Sequence, residues 1–246
     1  MLNFNDYLDN EDIITEGIND KHIFKAFYLA GGPGSGKSWV ASRTLEGSGM
    51  KVINTDLGFE RYAKQAGLDL KKMQSFTPAQ TKLKDELRAR SKGGTKTQLQ
   101  HAVDGRLGLI LDSTARDIPR IETEKRGLDF IGYDTYMVFV NTTLETALKR
   151  NQLRPRSVPD AIVIQSHKQI QANRQKLKNI FGSNYVEVDN DFDLAHINSA
   201  VYKKINKLKK PKYSKQMAKD WVDMELEMKK QAGQKKSSVF GLFGRR

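Results

Sequence analysis

Eight residues, Gly31-Gly32-Pro33-Gly34-Ser35-Gly36-Lys37-Ser38, constrain this chain more than any other stretch. They satisfy G-x-x-x-x-G-K-[ST] at every fixed position. Ile23 to Ala30 before them is apolar and aromatic enough for a buried strand, and Trp39 to Leu45 after them reads as the opening of a helix. Strand, glycine loop and helix in that order predict an anion nest. Glycines let the backbone curl so that successive N–H groups face phosphate oxygens, and the helix adds its positive end. Lys37 is then placed for the β- and γ-phosphates of ATP and Ser38 for Mg²⁺. All eight residues, with Trp39 behind them, are nucleotide-binding candidates.

Downstream, Lys51 to Thr55 reads as a short second strand that ends at Asp56. A carboxylate at the carboxyl end of a parallel strand lies where α/β sheets put their chemistry. Asp56 there takes the proton of an attacking hydroxyl, holds a water on Mg²⁺, or with Thr55 caps a helix over Phe59 to Ala66. Residues 67–106 are polar and largely helical, with a break expected at Ser91-Lys92-Gly93-Gly94. Leu107 to Thr114 is an apolar strand that delivers Asp112 beside the glycine loop, where a carboxylate can hold a Mg²⁺-bound water. Thr135 to Val140 and Asn184 to Asp189 complete five strands, separated by helical stretches, among them Leu144 to Gln152 and Ala161 to Phe181. That alternation predicts an α/β fold, a five-stranded parallel sheet sandwiched by helices. Arg150, Arg154 and Arg156, broken by Pro155, form either a lid of guanidinium forks over the triphosphate or a solvated helix end.

Charge divides the chain. The net balance is +13, yet residues from Lys203 onward hold 14 Lys/Arg against 4 Asp/Glu, and residues 1–202 hold 28 against 25. The basicity belongs mostly to a tail, and a basic tail can bind polyanions such as nucleic acid whatever the body does. The expected organisation is an acidic arm over 1–20, a nucleotide-binding body over 21–208 and a basic helical tail over 209–246. In the tail, Ser214 to Gln231 is read as an amphipathic helix and Lys235 to Arg246 as a polar linker with a terminal aromatic peptide. The absence of cysteine, of a basic-then-apolar leader and of an apolar run near the ~20 residues of a membrane span points to a cytoplasmic protein without a membrane segment.

Taken together, the glycine loop, Asp56, the Leu109-Ile110-Leu111-Asp112-Ser113-Thr114 strand and the Arg150…Arg154-Pro155-Arg156-Ser157-Val158-Pro159 segment resemble the P-loop kinases of the zeta-toxin and polynucleotide-kinase type. The resemblance spans residues 23–190 and extends to kinase-like proteins of tailed bacteriophages, which implies a host cytoplasm. It implies a nucleoside-kinase-like P-loop NTPase fold, with Lys37 and Ser38 on ATP and Mg²⁺, Asp56 on the acceptor hydroxyl, and Arg150, Arg154 and Arg156 in the lid. In such kinases the stretch between strands two and three builds the acceptor lobe, so Arg88, Arg90 and Lys92 become candidates to meet an anionic acceptor. These families place an arginine about three residues after the strand-two aspartate; here that position is Phe59, with Arg61 further on. The terminal aromatic peptide resembles the sliding-clamp-binding peptides of phage replication proteins. The implied activity is transfer of the γ-phosphoryl group to a nucleic-acid 5′ end, a nucleotide or a sugar nucleotide. The alternative is an NTP-binding adaptor that docks a partner assembly through its tail.

Overall fold

The structure is a computed structural model that describes residues 18–45, 47–153, 158–191, 199–210 and 212–243. Five parallel strands, β1 (Lys25–Ala30), β2 (Lys51–Ile53), β3 (Leu109–Asp112), β4 (Asp134–Asn141) and β5 (Tyr185–Asp189), lie in the order β2-β3-β1-β4-β5. β1 is central and buried along its whole length, which explains its unbroken apolar sequence: both faces are covered. One face meets α3 (Pro78–Asp104), α4 (Ile118–Phe130), α6 (Asp160–Phe181) and α8 (Gln216–Phe243) around Tyr28, Leu109, Phe139 and Leu177. The other meets α1 (Lys37–Thr44) and α7 (Ser199–Lys209) around Phe27, Val40, Val138 and Ile205. α5 (Leu144–Gln152) follows β4 and packs on α6.

Three local expectations change. β2 stops at Ile53, and α2 (Thr55–Gln65) starts at once, with Asn54 as its N-cap accepting the Asp56 amide. Asp56 therefore sits in the first turn of a helix, not at the tip of a strand. α3 runs unbroken through Ser91-Lys92-Gly93-Gly94, and the small Ser91 is packed closely against α2. Ser91 Oγ donates to the Thr55 carbonyl at 2.6 Å, and a Cβ on Gly58 would stand 2.6 Å from that same oxygen. A capping box of Thr77 and Gln80 with Pro78 starts the helix firmly. Finally, α8 continues to Phe243, so Phe240, Leu242 and Phe243 belong to a helix rather than to a peptide after a linker. Once begun, a helix gains one bond per added residue, and Ser237, Ser238 and Gly241 are too few to stop it. Gly244 to Arg246 and the arm up to Gly17 lie outside the described residues.

α8 packs on the amino end of the sheet. Trp221 meets Phe24 edge-on at 5.5 Å, Ala218 is fully buried against Gly132, and Ser214 donates to Asp134 through both its amide and its hydroxyl.

Candidate functional site

The glycine loop joins β1 to α1 through backbone that other residues rarely adopt. Gly34 (φ 79°) and Gly36 (φ 84°) are left-handed, and the space beside them is closed. A Cβ on Gly34 would lie 2.1 Å from the Ala147 carbonyl of α5, and one on Gly36 2.3 Å from Asn190 Nδ2. These are positions where the lack of a side chain is a packing requirement. Gly36 is the N-cap of α1 and supplies no side-chain acceptor, so no side-chain cap satisfies the amides of the first turn. Amides at the positive end of a helix, with no side chain capping them, are what an anion needs. Lys37 is half-buried and its Nζ donates to the Gly31 carbonyl at 2.7 Å, which folds the ammonium back over the loop. Ser35 Oγ is buried without a hydrogen-bond partner among the described residues, and Ser38 is exposed at the start of α1. Gly32 and Pro33 form the half-buried crest of the loop. Trp39, the third residue of α1, packs against the core with Arg43 over its ring.

Asp112 pairs in register with Leu29, and the next residue, Ser113, donates its amide to the Leu29 carbonyl. The carboxylate thus emerges beside the entry to the glycine loop, half-buried. Asn54 Nδ2 donates to Asp112 Oδ2 at 2.6 Å while Asn54 Oδ1 accepts the Asp56 amide at 2.8 Å. One amide side chain therefore couples the β3 carboxylate to the first turn of α2. Asp56 itself is exposed and faces Arg88 of α3, Nη2 to Oδ1 3.6 Å. The Arg88 guanidinium also lies over the Phe59 ring, 5.3 Å from its centre, so α3 brings a guanidinium to Asp56 across the Phe59 ring. Arg90 stacks on Tyr62 at 4.6 Å. A cavity of about 480 Å³ opens beside Asn54, lined by Gly58, Arg61, Tyr62, Ser91 and Gln98.

On the β5 side, Asn190 is buried and donates Nδ2 to the Ser35 carbonyl at 2.7 Å. Arg150 Nη1 donates to the Asn190 carbonyl at 2.7 Å, which brings Arg150 to the loop at Gly36. Arg154 and Arg156 fall outside the described residues. Next to Asn190, Asp191 accepts from the Thr143 amide and from the hydroxyls of Thr142 and Thr143. Burial works against its ionisation, but these hydrogen bonds outweigh it and hold its carboxyl below the ordinary range. Sequence reasoning missed Asn190 and Asn54. Asn54 carried a usable signal, an asparagine directly before a helix start; Asn190 carried none. Among the described residues no group of three or more His, Asp or Glu could cage a metal ion, and no helix is long and apolar enough to cross a membrane.

Among solved structures, the chain resembles that of an AvrRxo1-ORF1:AvrRxo1-ORF2 complex with sulphate ions at 17% identity and a TM-score of 0.50, covering 67% of this chain and 54% of that one. The same complex with ATP matches at 17% identity and a TM-score of 0.51, over 74% of this chain and 63% of that one. A structure of the PezAT chromosomal toxin-antitoxin system of Streptococcus pneumoniae matches at 14% identity and a TM-score of 0.50, over 80% and 89%. The chain thus spans little more than half the length of the first of these, and at such identities the likeness establishes fold alone. No curated protein matches. The model of an AAA domain family, AAA_33, matches residues 27–177, from the middle of β1 through most of α6. Because that match takes in the glycine loop, Asp112 and more than half of the sequence, the chain belongs to the AAA_33 family of P-loop domains, in a kinase-like form of the fold.

Proposed function

We propose that this protein is an ATP-dependent phosphotransferase that moves the γ-phosphoryl group to a hydroxyl or phosphate acceptor. The observation that carries the reading is the loop itself: left-handed Gly34 and Gly36, an uncapped α1 and Lys37 folded over the nest, with Asp112 emerging alongside. Phosphoryl transfer asks a protein mainly for positioning and for charge neutralisation. The nest and Lys37 hold the triphosphate, and Arg150 reaches the loop from the β5 side. Ser38 and Asp112 are the residues that would hold Mg²⁺, and this pair suits an ion that keeps most of its water. When bound, the ion would spread the negative charge of the β- and γ-oxygens. Asp56 orients or deprotonates the acceptor, and the Arg88 guanidinium stands 3.6 Å from its Oδ1. The cavity next to Asn54 is the space for that acceptor. The sequence resemblance to polynucleotide kinases and zeta toxins supports a nucleic-acid 5′-hydroxyl, a nucleotide or a sugar nucleotide there.

Incubation with γ-labelled ATP and pooled acceptors of these three classes tests the reading by where the label goes. Lys37→Ala abolishes transfer with an unchanged melting curve; turnover equal to the parent would remove the assignment. Asp56→Asn leaves ATP binding intact and reduces transfer about 10²-fold or more. Equal loss of binding and transfer would make Asp56 a structural residue.

The exposed Met224, Leu226 and Met228 on α8 favour a second reading, an NTP-dependent adaptor that docks a partner through the tail. Slow hydrolysis with no acceptor labelled, together with retention of a partner by the tail, distinguishes it.

A further inference from the structure

A second concentration of charge lies at the opposite edge of the sheet. Lys21 and His22 precede β1, Gly47 and Ser48 precede β2, and α7 runs alongside them to enclose an open groove of about 560 Å³. A strand rises about 3.3 Å per residue, so the length of β1 puts this groove about 20 Å from the glycine loop.

Lys21, Lys203, Lys207, Lys209 and Lys210 line the groove, and none of them is paired with a carboxylate among the described residues. Lys203 and Lys207 of α7 and Lys210, one residue past its end with its amide still bonded to the Asn206 carbonyl, recur at i, i+4 and i+7, which sets them on one face. At 1.5 Å per residue they extend over about 10 Å of helix. That length matches roughly two or three phosphates of an extended strand. Lys209 is tied down, its Nζ donating to the Thr44 carbonyl at the end of α1. Tyr202 shares the lining with 46% of its surface exposed. His22 contributes a buried Nδ1 without a hydrogen-bond partner among the described residues. Burial, then the charges of Lys21, Lys209 and Lys25, push the His22 imidazole below its ordinary pKa. Asp20 stands near, with Oδ1 facing the His22 amide at 3.4 Å.

Soluble surfaces ordinarily intersperse the two signs of charge. A lysine stripe beside an exposed aromatic side chain has the chemistry of a single-strand groove: ammonium groups follow the phosphates and a base stacks on the ring. We propose that this groove binds single-stranded nucleic acid, with phosphates along the α7 lysines and a base on Tyr202. The site is distinct from the nucleotide loop, and the proposal stands whether or not the chain transfers a phosphoryl group.

The test titrates the full chain into a fluorescently labelled single strand of about 12 nucleotides and follows anisotropy between roughly 50 and 200 mM salt. Changing Lys203, Lys207 and Lys210 together to Glu lowers affinity at least about tenfold and flattens the slope of log K against log salt by about two. Tyr202→Ala weakens binding about tenfold without changing that slope. Both variants keep the parent melting temperature and ATP affinity. If the triple variant fails to fold, Lys207→Gln and Tyr202→Ala carry the test separately. Unchanged affinity in these variants would overturn the proposal. So would loss of binding on changing Lys229 and Lys230 of α8 instead, or competition by inorganic tripolyphosphate as strong per charge as that of the unlabelled strand. Binding that appears only after removal of residues 1–17 would make the acidic arm the occupant and overturn it as well. None of these outcomes touches Lys37 or Asp56, so failure here is separable from failure of the phosphotransferase reading.

Discussion

Asn190 Nδ2 donates to the Ser35 carbonyl oxygen at 2.7 Å, tying the end of β5 to the middle of the glycine loop across 155 residues of sequence. Its own backbone is held on both sides: the amide donates to Asn141 and the carbonyl accepts from Arg150. Asn190→Ala leaves the Ser35 carbonyl without this donor and opens space beside Gly36. A buried acceptor without its partner costs about 1–3 kcal/mol. The expected result is an ATP affinity about tenfold weaker, read by calorimetry, with a melting temperature lowered by a few degrees. Unchanged ATP affinity would reduce the bond to a general structural role.

Two left-handed glycines provide an internal comparison. Gly34 and Gly47 have nearly the same φ, 79° and 73°, but a Cβ at Gly34 meets the Ala147 carbonyl at 2.1 Å and one at Gly47 meets nothing within 4 Å. Gly47→Ala therefore incurs only the backbone strain, about 1 kcal/mol. Gly34→Ala has to displace α5 as well. It should lower stability by several kcal/mol, beyond the ~1 kcal/mol of strain alone, and abolish ATP binding. Equal melting temperatures in the two variants would show that the loop tolerates movement of α5.

What could be read in the sequence is what is local. The Gly31 to Ser38 pattern specifies its own turn, and the apolar run ending at Asp112 specifies its own strand, because both signals sit within a few consecutive residues. What escaped is set by partners distant in the chain. Ser91 and the two glycines after it look like a helix break until Thr55 and Gly58 of α2 arrive against Ser91. Phe59 carries no charge for Asp56 to meet, and only the packing of α3 on α2 brings Arg88 across its ring to that carboxylate. Asn190, one polar residue after a strand, becomes a loop brace only when β5 lies beside β4 and Arg150.

Asn54 is the shared partner of Asp112 and the α2 amide, so its removal should separate metal effects from nucleotide effects. Asn54→Ala removes one hydrogen bond from the Asp112 carboxylate and removes the N-cap, at about 1 kcal/mol of stability. ATP affinity without Mg²⁺ stays near the parent value, and the Mg²⁺ concentration for half-maximal turnover rises about tenfold. An equal change in both would place Asn54 in nucleotide binding itself. Asn54→Asp, which retains the cap but sets a second carboxylate against Asp112, recovers stability without recovering Mg²⁺ response.

Asp129 links α4 to the start of α8: Lys125 Nζ and Lys215 Nζ lie 2.5 and 2.7 Å from its oxygens, and the Thr135 hydroxyl donates as well. Burial opposes the charge, but the hydrogen bonds from Lys125, Lys215 and Thr135 outweigh it and lower the pKa of the carboxyl. A carboxylate whose folded pKa is lowered adds stability that is fully present above its unfolded pKa of ~4 and is lost as pH falls through the folded value. Asp129→Asn should therefore lower the melting temperature by about 2–4 °C at neutral pH, the shift expected for ~1 kcal/mol of partly solvent-screened pairing in a chain of this size. The gap between parent and variant holds from pH ~7 to ~5 and closes progressively below ~4. Thermal melts of the two proteins across that range decide it. A gap that persists undiminished in acid would mean that the substitution acts through packing, and that the two lysines are not what fastens α8 to the body.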